Sequence, residues 1–80
     1  MIKVSLLTPE SSRDFEASAV FLPGTQGRFE VLPGHADIIS TLDGGEIILR
    51  LSGGEEKHFP TEGGVMRLQK DTMTICAALS

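Results

Sequence analysis

Apolar and polar positions alternate with a period of two along most of this chain. Ile2, Val4 and Leu6 fall on one side of an extended backbone, with Lys3 and Ser5 on the other. Phe15, Ala17, Ala19 and Phe21 share one face, and Glu16 and Ser18 the opposite one. Ile47 and Leu49 alternate with Glu46, Ile48 and Arg50 before Ser52-Gly53-Gly54-Glu55 turns the chain back toward Lys57 and Phe59, a β-hairpin. A second hairpin runs from Val65–Leu68 through the polar turn Gln69-Lys70-Asp71 into Thr72–Ala77, where Met73, Ile75 and Ala77 alternate with Thr72, Thr74 and Cys76. The pattern assigns Val4, Leu6, Phe15, Ala17, Val20, Ile39, Ile47, Leu49, Val65, Leu68, Met73 and Ile75 to the interior.

Between these runs lie Pro23-Gly24, Pro33-Gly34, Gly44-Gly45, Gly53-Gly54 and Gly63-Gly64. Turn signals at intervals of about 8–12 residues are the mark of a β-sandwich or barrel. They leave no window for an ordinary helix of about 11–12 residues. The Gly pairs do not recur with matching flanks, so the 80 residues read as a single all-β domain, 1–80, without internal repeats. Each Pro-Gly pair reads as a type II turn, Pro setting φ and Gly accepting φ > 0.

Size sharpens this picture. A domain of 80 residues buries a modest share of its surface, so a partner protein is an expected source of stability. Eleven acidic residues against seven scattered basic ones, four Phe and no Trp or Tyr disfavour nucleic acid, which calls for a basic stripe with stacking aromatics. The N-terminus lacks a signal-peptide core, no apolar run reaches membrane-spanning length, and one lone thiol fits a reducing compartment.

Candidate chemistry is sparse. His35, His58 and Cys76 have no zinc-like spacing, and Cys76 reads as a buried structural residue. Gly24-Thr25-Gln26-Gly27 has no following Lys-Ser/Thr and leads into a strand, so no helix N-terminus stands ready for phosphate. Glu55, Glu56 and Glu62 read as solvated hairpin carboxylates, and His58 as a surface residue. Catalytic residues, cofactor and metal are all expected to be absent.

Residues 22–36 are the most distinctive segment: Leu22-Pro23-Gly24, Gly27, a short strand from Arg28 to Leu32, then Leu32-Pro33-Gly34-His35-Ala36. Together with Thr8-Pro9-Glu10, Leu42 and Gly45, Gly63-Gly64 and the final hairpin, this ordered set resembles the N-terminal domain of the epsilon subunit of F-type ATP synthase, called delta in mitochondria. Three positions depart from that family: Arg28 stands where an acidic residue is usual, Glu30 where a small one is, and Asp37 where Pro often follows His-Ala.

The resemblance implies a flattened sandwich of two antiparallel sheets with about ten short strands and no required helix. It implies a rotor role, bracing the gamma subunit against the c-ring so that ion flow is coupled to ATP synthesis, on the cytoplasmic face of a bacterial inner membrane without insertion into it. Thr8, His35 and Ser40 would face gamma, and Gly27, Arg28, Phe29 and Glu30 the c-ring. Arg28 would then meet an acidic or polar partner there. Family members commonly carry two further C-terminal helices, so a chain ending at Ser80 is expected to lack helix-mediated inhibition and ATP sensing. The competing reading is a free-standing β-sandwich that binds a small ligand, for which the chain has no Trp or Tyr platform.

Overall fold

A computed structural model describes all residues, 1–80. Seven strands and no helix make up the domain: β1 (Ile2–Leu7), β2 (Ser12–Gly24), β3 (Gly27–Val31), β4 (Ile38–Leu42), β5 (Gly45–Leu51), β6 (Glu56–Gln69) and β7 (Thr72–Leu79). Its extents are 26 × 23 × 17 Å, flattened as a two-layer sandwich requires. The expected count of short strands falls to seven because β2 and β6, of 13 and 14 residues, each serve both layers.

Two bulges let them do so. In β2 the register shifts between Ala17 and Ala19, so the buried residues change from Ala17 to Val20 and Leu22. In β6 it shifts between Thr61 and Gly63, and burial passes from Phe59 and Thr61 to Met66 and Leu68. An extra residue inverts the inward parity and bends the strand. This corrects the interior assignment of Val65 and splits Phe21 from the face it was expected to share with Phe15 and Ala17. Val65 faces outward and is 40% exposed, and Phe21 lies on the outer surface, half-buried beneath Arg50 at 5.3 Å from its ring centroid.

β2 pairs with β1 and then β3 along one edge and with β5 along the other. β6 pairs with β5 and then β4 along one edge and with β7 along the other. β1 joins β7 in parallel, the one exception to the antiparallel expectation, and closes a circuit β1–β2–β5–β6–β7. Such closure confines open edges, the aggregation-prone part of any sheet, to the five-residue strands β3 and β4.

The core holds nine of the expected residues: Val4, Leu6, Ala17, Val20, Ile47, Leu49, Leu68, Met73 and Ile75. Ile2, Leu22, Val31, Leu42, Phe59, Met66 and Ala77 complete it, and Phe15 packs against it half-buried. Ile39 is the larger correction, at 73% exposure. Buried Leu42, paired with Gly64, sets the inward parity of β4, which turns Ile39 and Thr41 to solvent.

Of the two Pro-Gly pairs, Pro33-Gly34 makes its expected turn. The His35 amide donates to the Leu32 carbonyl at 3.1 Å and Gly34 adopts φ +87°, the type II geometry. Pro23-Gly24 instead lies inside β2, opposite Arg28 and Gly27, and the reversal occurs at Thr25-Gln26. Pro23 has no amide to donate, but its carbonyl accepts from Asp43 at 2.8 Å.

Candidate protein-docking face and its rim

The sheet β4–β6–β7–β1 turns its outer surface to solvent, and its register defines that surface row by row. One row runs Thr41, Val65, Cys76, Leu7, and a neighbouring row runs Ile39, Arg67, Thr74, Ser5. At about 4.8 Å between strands, each row crosses roughly 14 Å. Ile39, Val65, Leu7 and Cys76 place apolar groups on it, and the adjoining groove, about 500 Å³, is lined by Leu7, Thr8, Pro9, Gly63, Gly64 and Cys76–Ala78. Cys76 is an exposed free thiol, contrary to its expected burial, because it alternates with buried Ile75 and Ala77. Exposed apolar groups gathered on one face of a small domain make that face a candidate for contact with another macromolecule.

Thr8 stands at one end of this face, in the turn between β1 and β2. Its Oγ1 accepts from the Ser11 amide at 3.0 Å, and its own amide donates to the Ser11 carbonyl at 2.9 Å. His35 belongs to the other end, where residues 32–37 meet the β6–β7 turn. β7 separates the two by about 20 Å at a strand rise near 3.3 Å per residue. Ser40 shares the inward parity of Ile38 and Leu42 and donates to the Thr41 carbonyl at 3.1 Å. The three residues therefore do not converge on one pocket.

The His35 ring is exposed, and its Nδ1–H donates to the Ala36 carbonyl at 2.7 Å. A carbonyl can only accept, so in the neutral ring Nε2 is left as a free acceptor directed away from this bond. The neighbouring β6–β7 turn places Lys70 and Asp71 at φ 50° and 60°, a type I′ hairpin built without glycine.

Gly27, Arg28, Phe29 and Glu30 form most of β3, which matches within one residue at each end the short strand expected from Arg28 to Leu32. Phe29 is half-buried against the core, while Arg28 and Glu30 are exposed. Arg28 Nη1 donates to the Glu46 carbonyl at 3.0 Å, so the guanidinium reaches from β3 to β5. Beside it His58 Nδ1 lies 3.0 Å from the Glu46 carboxylate and Nε2 3.4 Å from Glu56, which also pairs with Arg50 at 3.2 Å. The hydrogen bond to Glu46 holds the His58 pKa above its ordinary value, Glu56 adds to the effect, and desolvation opposes it.

Residues 1–79 match the family described as the beta-sandwich domain of the ATP synthase delta/epsilon chain. The chain belongs to this family. It is 32% identical over 78 residues to the ATP synthase epsilon chain of Wolinella succinogenes, covering 96% of this chain and 60% of that one. Against the epsilon chain of Bordetella petrii it is 41% identical over 63 residues, 78% of this chain and 44% of the relative. The chain thus spans less than two thirds of the length of these relatives. Among solved structures, the fold is similar to a chain in the mitochondrial ATP synthase OSCP/F1/c-ring assembly of Euglena gracilis (TM-score 0.84, 18% identity, 95% of this chain and 49% of that one). It is equally similar to one in the central stalk/c-ring of the Tetrahymena thermophila mitochondrial enzyme (TM-score 0.83, 17% identity, 96% and 63%).

In this epsilon-type domain the exposed face depends on residues that alternation alone misplaces. Ile39 and Val65 read as core from the alternating pattern. The signal against Val65 is parity: Val65 and Leu68 cannot face the same way in one strand, and Gly63-Gly64 just before them is where a bulge resets the face.

Proposed function

We propose that this domain is a rotor element of an F-type ATP synthase, seated between the gamma subunit and the c-ring on the cytoplasmic face of a bacterial inner membrane. The observation that carries the reading is the apolar outer face of β4–β6–β7–β1, in a chain that belongs to the delta/epsilon family. Its task is mechanical and not catalytic: a rigid bracket that passes rotation from ring to stalk. Gamma occupies the face bounded by Thr8 and the His35 loop. The c-ring meets the rim formed by Gly27, Arg28, Phe29 and Glu30, where Arg28 favours an acidic or polar contact. No helix is long and apolar enough to cross a membrane.

Cys76 is a built-in reporter, being the single thiol and lying within the apolar row. Alkylation of Cys76 in the free domain is expected to be fast, and addition of the cognate gamma subunit is expected to slow it at least tenfold with one-to-one stoichiometry. Unchanged alkylation together with no heat of binding to gamma, alone or on the c-ring, would remove the rotor reading.

A further inference from the structure

We propose that Asp37 and Asp71 are positioning residues that act through His35, holding its loop in the orientation that a partner reads. This rests on the rotor reading above. Residues 32–37 are all exposed, so no buried side chain anchors them. Within the loop, the His35 amide bonds Leu32 and the His35 ring bonds Ala36. Two bonds tie it to the rest of the domain, and they are reciprocal. Asp37 Oδ1 accepts from the Lys70 amide at 3.0 Å, and Asp71 Oδ1 accepts from the Gly34 amide at 2.8 Å.

Each carboxylate thus caps a backbone amide of the opposite loop, a charge-assisted bond of the stronger class. Lys70 needs its cap, because it sits at φ 50° with no glycine to ease the turn. Asp71 is itself fixed to β1, since its carbonyl accepts from the Lys3 amide at 2.9 Å. The chain of restraint therefore runs from the β1–β7 ladder through Asp71 and Gly34 to His35. Fixing a contact loop before binding raises affinity by lowering the ordering cost.

The test is calorimetric titration of the cognate gamma subunit into the parent domain and the variants Asp37→Ala, Asp71→Gly, Asp37→Asn and Asp71→Asn, each also made with His35→Ala. Gly and Asn keep the positive φ at position 71, and Asn keeps the acceptor oxygen. Asp37→Ala, outside the turn, tests the same idea should Asp71→Gly fail to fold. Asp37→Ala and Asp71→Gly are expected to weaken binding about tenfold, on the order of one lost bond to a charged group. The Asn variants should stay within about twofold of the parent, and on the His35→Ala background all four should be equal, since interacting sites are not additive. Parent-like binding of Asp37→Ala and Asp71→Gly overturns the proposal, as does a tenfold loss that persists without His35. A parent domain that does not bind gamma overturns the rotor reading and this proposal together.

Discussion

Thr61 and Ala78 join the two longest-paired strands at the point where their register slips. The Thr61 hydroxyl donates to the Ala78 carbonyl at 2.8 Å and accepts from the Gly63 amide at 3.1 Å, in a residue only 3% exposed. One side chain thereby satisfies both backbone groups that the bulge would orphan. Thr61→Val keeps the shape and deletes both bonds. It is expected to lower unfolding stability by about 1–3 kcal/mol in urea titrations, with Thr61→Ser losing clearly less.

Gly64 lies next to that bulge for a different reason. A Cβ there would collide with the Cys76 carbonyl oxygen and come within 2.8 Å of the Ala77 Cα, both backbone atoms that cannot swing away. Gly64→Ala should cost about 3 kcal/mol or more, since the strands themselves must part. In so small a domain that loss should appear as a large drop in melting temperature, or as failure to fold at 37 °C.

His58 should confer a pH dependence of defined sign. Its pKa in the folded state lies above the ordinary 6.5, chiefly through the hydrogen bond to Glu46. The folded state therefore favours the protonated ring. The stabilisation is complete below about pH 6.5 and is lost as pH rises through the folded-state pKa. NMR titration of the ring should give a midpoint above 6.5 that falls on Glu46→Gln substitution and on addition of salt.

Arg13 closes an open end of the sandwich. Its guanidinium carbon lies 5.1 Å from the Phe15 ring centroid and 5.6 Å from that of Phe59, and the two rings are themselves 5.7 Å apart at 57°. Arg13→Ala should cost about 1 kcal/mol, and its effect should shrink on a Phe15→Leu background, as a double-mutant cycle would reveal.

Ile39 offers the sharpest separation of folding from function. Ile39→Asp removes an apolar group that is 73% exposed, so stability should change by no more than about 0.5 kcal/mol. Binding to gamma should fall at least tenfold in the same preparation.

Much of this architecture is legible in the chain. Local alternation places β1, β5 and β7 with the correct faces, and Ser52–Glu55 and Gln69–Asp71 mark both hairpins because turn chemistry is short-range. Strand parity beyond a bulge is not local. Ile39 is turned outward by the pairing of β4 with β6, which no window around it contains. For Val65 the parity clash with Leu68 says that one of the two faces out, but only the pairing with β7 says which. The same holds for the candidate site. Asp37 is visible as a departure from the family it resembles, yet its partner is the amide of Lys70, 33 residues away. The pair exists only once the loop and the turn are folded side by side.

The parallel pairing of β1 with β7 also has a mechanical meaning. Side-by-side parallel strands place the first and last strands' outer ends at opposite ends of one ladder, from Lys3–Thr72 to Leu7–Cys76. Tension applied through the two termini would load those bonds together in shear, rather than peel them singly as at a hairpin end. Forced unfolding follows the barrier and not the equilibrium stability. A domain of modest thermodynamic stability can therefore resist a pull along this axis far better than one directed across it.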